Sequence, residues 1–498
     1  MSPRRWLRHG WRTIHDGKDR AAIGPARLGV DPASDRVPPV PHLAGRRTAD
    51  GAAGAGKRIL FINQYYWPDH ASTAQHLADL AESMAARGYE CHVLCARARY
   101  QPGGPNPPAY EVHEGVRIHR VRATSLGRRG TLARMTDYLS FYAGAMLQAI
   151  ALPRFDTVVT LTTPPIIGLA GTLLKWLKGS PHIYWSMDLH PDASLALGRM
   201  SPRNLVVRGL RWLSGFVYRN ADRVVVLGPY MADRVALKGV AADRIETIPV
   251  WSRREEIYPI PRGSNALRKS LGIGDAFVAM YSGNLGLAHS FDEFLEAGRR
   301  LRDRPDIVFI FAGAGPRLGE LKEAHEREGL TKVRFLDYVP RAHLHTSLSM
   351  ADVHLISMRP EMTGIVVPGK LYGVMAAGRP AVFVGPRHCE SADTIRTNGC
   401  GITVDRGDVD ALVAALLQLT ADPSLARRMG ERGRSAFLAG YERRLCCEQW
   451  GDLLAEVTGE KLEPARPARV PSRRSAVGRS SRATAAALAA LSIAPTLR

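Results

Sequence analysis

Two doubly wound α/β domains, facing each other across a cleft, are the fold this sequence predicts. Three observations carry that prediction. Short apolar runs alternate with amphipathic helical stretches along most of the chain, the βαβ pattern of a parallel sheet. The alternation breaks over residues 249–275, where Pro249, Pro259, Pro261, Gly263, Gly272 and Gly274 crowd together. Beyond that break the same alternation starts again.

The elements follow in order. Lys57 to Asn63 (KRILFIN) has the length and composition of a buried strand. The loop QYYWPDHAS comes next. Thr73 to Arg87 reads as a helix, with Ala74, Leu77, Leu80, Ala81 and Met84 on one face, and Gly88 closes it. Glu90 to Cys95 is the second strand. Further strands are expected at 116–122, 156–161, 182–186, 222–227 and 244–248. In the second half, strands are expected at 277–282, 307–312, 333–336, 353–356, 381–384 and 401–404. Helices are expected at 291–302, 316–328, 341–349, 370–377, 390–397 and 408–420, with a last one over 442–458. The first domain is therefore set at 57–250 and the second at 251–440, with 441–460 as a terminal helix.

The chain has 498 residues, 45% hydrophobic and 23% charged, which suits large cores and excludes a wholly disordered protein. No Gly-X-Y period or short repeat points to collagen or a solenoid. The net charge is +21, and more than half of it sits at the two ends. Residues 1–56 carry ten Lys/Arg against five acids, and 464–498 carry seven arginines and no acid. Both are Pro/Arg/Ala/Gly-rich without periodicity, so they read as disordered basic tails, either solvated or able to bind nucleic acid or anionic lipid. The six cysteines lack disulfide-framework or zinc spacing and read as reduced thiols in the cytosol.

The N-terminal stretch has no apolar segment of a signal peptide, and no clean run of about 18 apolar residues occurs. Segments 137–152, 164–178 and 203–219 come nearest. The last sets Arg203, Arg208, Arg211 and Arg219 among aliphatics, Trp212 and Phe216. That mixture suits a helix lying on an anionic membrane, or an ordinary surface helix with one buried face.

Ligands of open parallel sheets bind at the carboxyl ends of strands, so those loops hold the candidates. The first domain offers Tyr66, Ser72 and Thr73 after its first strand, and Asp188, His190 and Asp192 after 182–186. Asp188 and His190 are candidates for acid/base work or sugar-hydroxyl contact, and the acids equally for helix capping. The second domain offers Gly283, Asn284, Gly286 and His289, then Gly313 and Gly315, then Glu361, Gly364 and Lys370. Glycines admit a ligand to the backbone, and Lys370 at a helix start makes sense beside an anion. No GxxxxGK[ST], HExxH or GxSxG motif occurs, which speaks against a P-loop NTPase, a zincin and an α/β-hydrolase. No candidate loop pairs metal ligands at helical spacing, so no metal is expected.

These segments together resemble the family-4 GT-B glycosyltransferases, the retaining nucleotide-sugar enzymes. The resemblance is closest to the exopolysaccharide and O-antigen branch with colanic-acid fucosyltransferase-like and N-acetyl-fucosamine transferase-like members. It rests on ILFINQYYWPDHASTAQHLADLAESMAARGYECHVLCA, YWSMDLHPDASLALG, YSGNLGLAHSFDEFLEA, FIFAGAGP and VVPGKLYGVMAAGRPAVFVG, within about 57–458. It implies two Rossmann-like domains, a donor nucleotide held mainly by the second, and a last helix crossing back to the first. The sequence departs from the family pattern at five residues in three places. Asn284 and His289 stand where Arg and Lys are usual, Ile365 and Gly373 stand where a glutamate pair is usual, and Glu361 is out of register. The diphosphate then falls to Lys370 and the backbone of 364–367, with His289 as a weaker, pH-dependent cation.

The resemblance implies retaining transfer of a sugar from a nucleotide-diphospho-sugar to a lipid-linked saccharide. It implies no cofactor, and a peripheral position on the cytoplasmic face of the inner membrane. No specific nucleic-acid partner is expected. Two other readings remain at this stage, a nucleotide-sugar 2-epimerase and a non-catalytic nucleotide-sugar-binding homologue.

Overall fold

The computed structural model describes residues 56–460, except 70, 99–105, 125 and 127–130. The expected tails, 1–56 apart from Gly56 and 464–498, lie outside the described residues, as does His70 of the first loop.

The first sheet comprises β1 (Arg58–Ile62), β2 (Glu90–Ala96), β3 (Tyr110–His113), β4 (Val116–Val121), β5 (Thr157–Thr160), β6 (His182–Trp185), β7 (Arg223–Val226) and β8 (Ile245–Thr247). Their order in space is β3-β4-β2-β1-β5-β6-β7-β8, parallel except for β3. Six helices intervene: α1 (Ser72–Ala86), α2 (Thr131–Ala151), α3 (Gly168–Lys178), α4 (Asp192–Ala196), α5 (Leu205–Asn220) and α6 (Pro229–Ala236). Strand β1 shows why the runs are continuously apolar. Ile59 and Phe61 face one core cluster, Leu60 and Ile62 the other, so both faces are buried.

The second sheet comprises β9 (Phe277–Ser282), β10 (Ile307–Ala312), β11 (Val333–Leu336), β12 (Val353–Ser357), β13 (Ala381–Val384) and β14 (Gly401–Val404), all parallel in the order β11-β10-β9-β12-β13-β14. Its helices are α7 (Ala266–Ser270), α8 (Asp292–Arg300), α9 (Leu318–Glu328), α10 (Leu344–Met350), α11 (Lys370–Ala376), α12 (Glu390–Asn398), α13 (Val409–Ala421) and α14 (Pro423–Gly440). The last helix, α15 (Arg443–Thr458), leaves this domain and packs on α1 and β5 of the first.

Elements not expected from the sequence include β3, α14 and α7, which lies inside the 249–275 break and is capped by Asn265 accepting from Leu267 N and Arg268 N. β3 is a short antiparallel edge strand, half exposed, so its side chains carry little apolar signal. Helix α14 is hidden by its glycines. A side chain at Gly430 would strike the Gly378 carbonyl, so the glycine serves close packing against α11. No single helix among the described residues is long and apolar enough to cross a membrane. α13 and α14 would be long and apolar enough only when taken together, and they are bent by 101° where they join.

The domains share one core cluster, running from β1 through Trp185 and Trp450 to Leu371 and Met375. Trp185 lies 5.8 Å from Trp251 of the connecting segment and 4.7 Å from Trp450 of α15. Trp251 donates its indole N–H to Asp79 of α1 at 2.8 Å. Arg253 also pairs with Asp79, and Arg341 of the second domain approaches it at 3.5 Å. The connecting segment is paired with the chain's return: Ser252 N donates to Tyr441 O at 3.2 Å, and Arg443 N to Ser252 O at 3.1 Å.

Burial pushes the Asp79 carboxyl up, but the hydrogen bond and charge of Arg253, with Arg341, outweigh it and hold it below the usual carboxylate range. Asp79→Ala leaves two arginines facing a buried gap and is expected to cost about 3–5 kcal/mol of unfolding free energy. A depressed carboxylate stabilises above its unfolded value and is lost as pH falls through the folded one. Wild type therefore loses this contribution only in acid, below about pH 4. Urea midpoints should differ most between the two proteins near neutral pH and converge in acid. A constant gap at every pH would remove Asp79 from this role.

Candidate active site

Loops from both domains meet at the cleft. The backbone of the loop after β12 meets the first domain at three points. Leu189 N donates to Ile365 O at 3.0 Å, Arg234 Nε donates to Thr363 O at 2.6 Å, and Gly364 lies against the Tyr230 carbonyl. Gly364 has φ +66° and no room for a Cβ, so both its conformation and its neighbour require glycine. Ile365, at the family's glutamate position, is buried in the shared core. Glu390, at the start of α12, reaches across the seam and accepts from Met231 N at 3.1 Å.

Lys370 opens α11 and stands beside the turn at Gly283. Its ammonium sits 3.8 Å from the centre of the Tyr281 ring and hydrogen-bonds the Tyr281 hydroxyl. No described carboxylate pairs with it. Burial alone pulls its pKa well below the ordinary lysine value. An unpaired, half-buried cation is costly unless an anion completes it. Tyr281, missed by sequence reasoning because it sits inside an apolar strand, is its platform. Tyr281 also donates to Asn284 O at 2.8 Å, which fixes the turn.

His289 departs from its expected role. Its Nδ1 bonds to the Ser357 carbonyl, so the proton is on that nitrogen. Burial first, then the charge of Lys370, push the ring down to about 3. It is a neutral imidazole at pH 7, not the cation the sequence suggested. Gly313 and Gly315 have a packing duty of their own. A Cβ at either would strike the carbonyl of Gly283 or Leu285, so these glycines pack one strand-end turn on another. Glu361 lies exposed, 3.7 Å from Arg406. Asn284 is exposed at the turn, and Gly286 packs beside its amide.

In the first domain, Asp188 is half-buried at the end of β6. Burial pushes its carboxyl up, and neighbouring His190 draws it back. The His190 carbonyl accepts from Ser214 Oγ at 2.8 Å. Asp192 is tied to Lys238 at 2.7 Å, which removes it from the candidates. Tyr66 is buried with its hydroxyl unpartnered among the described residues, and the side-chain oxygens of Asn63, Gln64 and Thr162 are likewise unpartnered. Asn63, Gln64 and Thr162 follow the carboxyl ends of β1 and β5, and Tyr66 lies in the loop after β1. Thr73 lies in the first turn of α1 as expected, and Ser72 joins it there rather than the loop, with its hydroxyl 3.4 Å from His76. No group of three or more His, Cys, Asp or Glu is placed to hold a metal among the described residues.

Comparison with known proteins bears on this cleft. Residues 73–251 match the family described as "Glycosyl transferase 4-like domain", and residues 264–436 match "Glycosyl transferases group 1". The chain is 26% identical over 391 residues to the putative colanic acid biosynthesis glycosyl transferase WcaI of Escherichia coli, covering 75% of this chain and 96% of that one. Its fold is similar to sucrose-phosphate synthase from Thermosynechococcus elongatus, with a TM-score of 0.66, 18% identity and coverage of 81% and 99%. It is similar also to Anabaena HepE, solved with UDP-glucose, with a TM-score of 0.61, 15% identity and coverage of 80% and 99%.

Gly364→Ala should loosen the seam. The strained backbone alone costs about 1–3 kcal/mol, and the clash with Tyr230 adds to it. Gly319→Ala, in open space within α9, is the matched control and should be neutral or slightly stabilising. Urea denaturation of both checks the contrast, and equal midpoints would refute it.

Proposed function

We infer the reaction from a family premise: the chain is a GT-B glycosyltransferase with a glycosyl transferase 4-like first domain and a group 1 second domain. It moves a sugar from a nucleotide-diphospho-sugar to a saccharide acceptor in assembly of an exopolysaccharide or O-antigen. The observation that carries this reading is Lys370, an unpaired cation at the Gly283 turn, facing the cleft into which the Asp188 loop also projects. The colanic acid name of a relative and the UDP-glucose bound to a structural neighbour support the polysaccharide and the donor class. Neither the epimerase nor the non-catalytic reading gains comparable support.

The chemistry follows from the parts. Lys370 and the backbone N–H groups of the Gly283 turn stabilise the charge that grows on the leaving diphosphate. The positive charge in this reading comes from protein side chains. The strand ends of the first domain hold the acceptor. There Asp188, with its raised pKa, hydrogen-bonds an acceptor hydroxyl and orients it at the anomeric carbon. Two-carboxylate retaining hydrolases set a nucleophile about 5 Å from an acid. Asp188 has no described carboxylate partner of that kind, because Asp192 is bound to Lys238. Retention then comes from attack on the face the diphosphate leaves, with a phosphate oxygen taking the acceptor proton.

The acceptor in this reading is lipid-linked and is met at the cytoplasmic face of the membrane. Six buried, unpaired cysteines are in keeping with a reducing compartment.

Lys370→Ala is expected to weaken donor binding by about 1.5–3 kcal/mol, roughly tenfold to a hundredfold in Kd. A diphosphate favours the charged ammonium, so donor binding takes up a proton and Kd weakens as pH rises. Calorimetry with UDP-, GDP- and dTDP-sugars, in buffers of different ionisation enthalpy, reads both effects. Unchanged proton uptake in the variant would take Lys370 out of the diphosphate site, and no binding of any nucleotide-sugar would sink the function.

A further inference from the structure

Away from the cleft, the first domain carries a face that its own packing does not explain. Helices α3 and α5 lie side by side and turn Trp176, Leu205 and Trp212 outward, with Leu205 76% exposed. A ladder of rings joins them, Trp176 to Phe216 at 5.6 Å and Phe216 to Trp212 at 5.7 Å. Just after α6, Leu237 is 88% exposed. Large apolar side chains this open are normal singly, but a cluster marks a binding surface.

Between α5 and the end of α6 lies a pocket of about 400 Å3, lined by Arg208, Arg211, Trp212, Arg219, Leu237 and Lys238. The pocket gathers four cations. Lys238 is paired with Asp192 at 2.7 Å, and Arg219 donates to the Lys238 carbonyl at 3.2 Å. Among the described residues, no carboxylate pairs with Arg208 or Arg211. The pocket is therefore left strongly positive, with apolar side chains around its rim.

We propose that this face docks the protein on an anionic phospholipid bilayer, with the pocket between α5 and α6 receiving a lipid phosphate headgroup. Trp176, Trp212, Leu205 and Leu237 then enter the boundary between headgroups and acyl chains, and the arginines hold the phosphate layer. A nucleic acid would match the cations but leave Leu205 and Leu237 without apolar contact. A protein partner would need a carboxylate opposite each arginine while it covered the rings. The bilayer supplies both chemistries in the order the face presents them. The proposal deepens the reading above by naming the surface on which a lipid-linked acceptor is met. It is tested apart from that reading, because vesicle partition needs neither donor nor acceptor.

The experiment is co-sedimentation of the full chain with phosphatidylcholine vesicles, with and without phosphatidylglycerol. Partition is expected only with the anionic lipid and should fall with salt. The pair Arg208→Glu and Arg211→Glu should lower it at least about tenfold, since each basic residue near an anionic surface carries a comparable share. The pair Trp212→Ser and Leu237→Ser should lower the part that survives high salt. The charge-matched pair Arg302→Glu and Arg327→Glu, on exposed sites of the second domain, should leave partition unchanged. All these residues are exposed, so thermal unfolding should stay at the wild-type temperature. Equal loss with both charge pairs would show diffuse attraction and overturn the proposal. So would an absence of vesicle binding, or binding to single-stranded RNA that the Arg208/Arg211 pair abolishes while vesicle partition persists.

Discussion

Asp79 is a carboxylate in the middle of a helix, taken out of water, with an indole N–H, a guanidinium from the connecting segment and a second guanidinium from the other domain gathered on it. A buried anion of this kind must keep its partners, because losing one leaves an uncompensated charge. The rest of the architecture hangs on that requirement. The connecting segment is held against α1, Trp185 lies between Trp251 and Trp450 of the return helix, and Arg341 brings the second domain to the same point. The angle between the sheets, and with it the shape of the cleft, is set where the two domains share one core.

The second constraint is a positive charge without a partner. Lys370 rests on an aromatic ring because nothing acidic is there to meet it. The neighbouring histidine responds by staying neutral. That arrangement holds the cation ready at low dielectric, where a charge-assisted contact is strong. Across the seam, the loop carrying Gly364 and Ile365 is pinned through its own carbonyls, which accept from Leu189 N and from the Arg234 guanidinium, rather than by ion pairs.

Much of the fold was legible because both sheets are buried on both faces. Runs such as RILFI and IVFIFA can be little else once flanked by helical periodicity. β3 escaped because one side of it meets solvent, and α14 because its glycines answer to tertiary packing, which a single sequence does not display. Within the site, Lys370 stood out by its place at a helix start. The glycine signals have a second source the sequence does not display: Gly313 and Gly315 accommodate carbonyls of the chain itself. The protonation of His289 was not legible, since it follows from burial and from a lysine far away in sequence. Tyr281 looked like core and is core, with only its hydroxyl and one ring face doing anything else.

The return of α15 has a topological consequence. Lys57 Nζ donates to the Thr458 carbonyl at 3.3 Å, and Tyr89 reaches Glu460 at 3.2 Å, so the described chain ends where it begins. The first domain is built from two stretches that are hundreds of residues apart, with the second domain inserted between them. Cutting the gene at the connecting segment would strip α1 and β5 of their cover and expose Trp185. Joining residue 460 to residue 57 by a short bridge and opening the chain elsewhere would preserve every sheet. The two ends of the described chain thus meet at one place on the first domain.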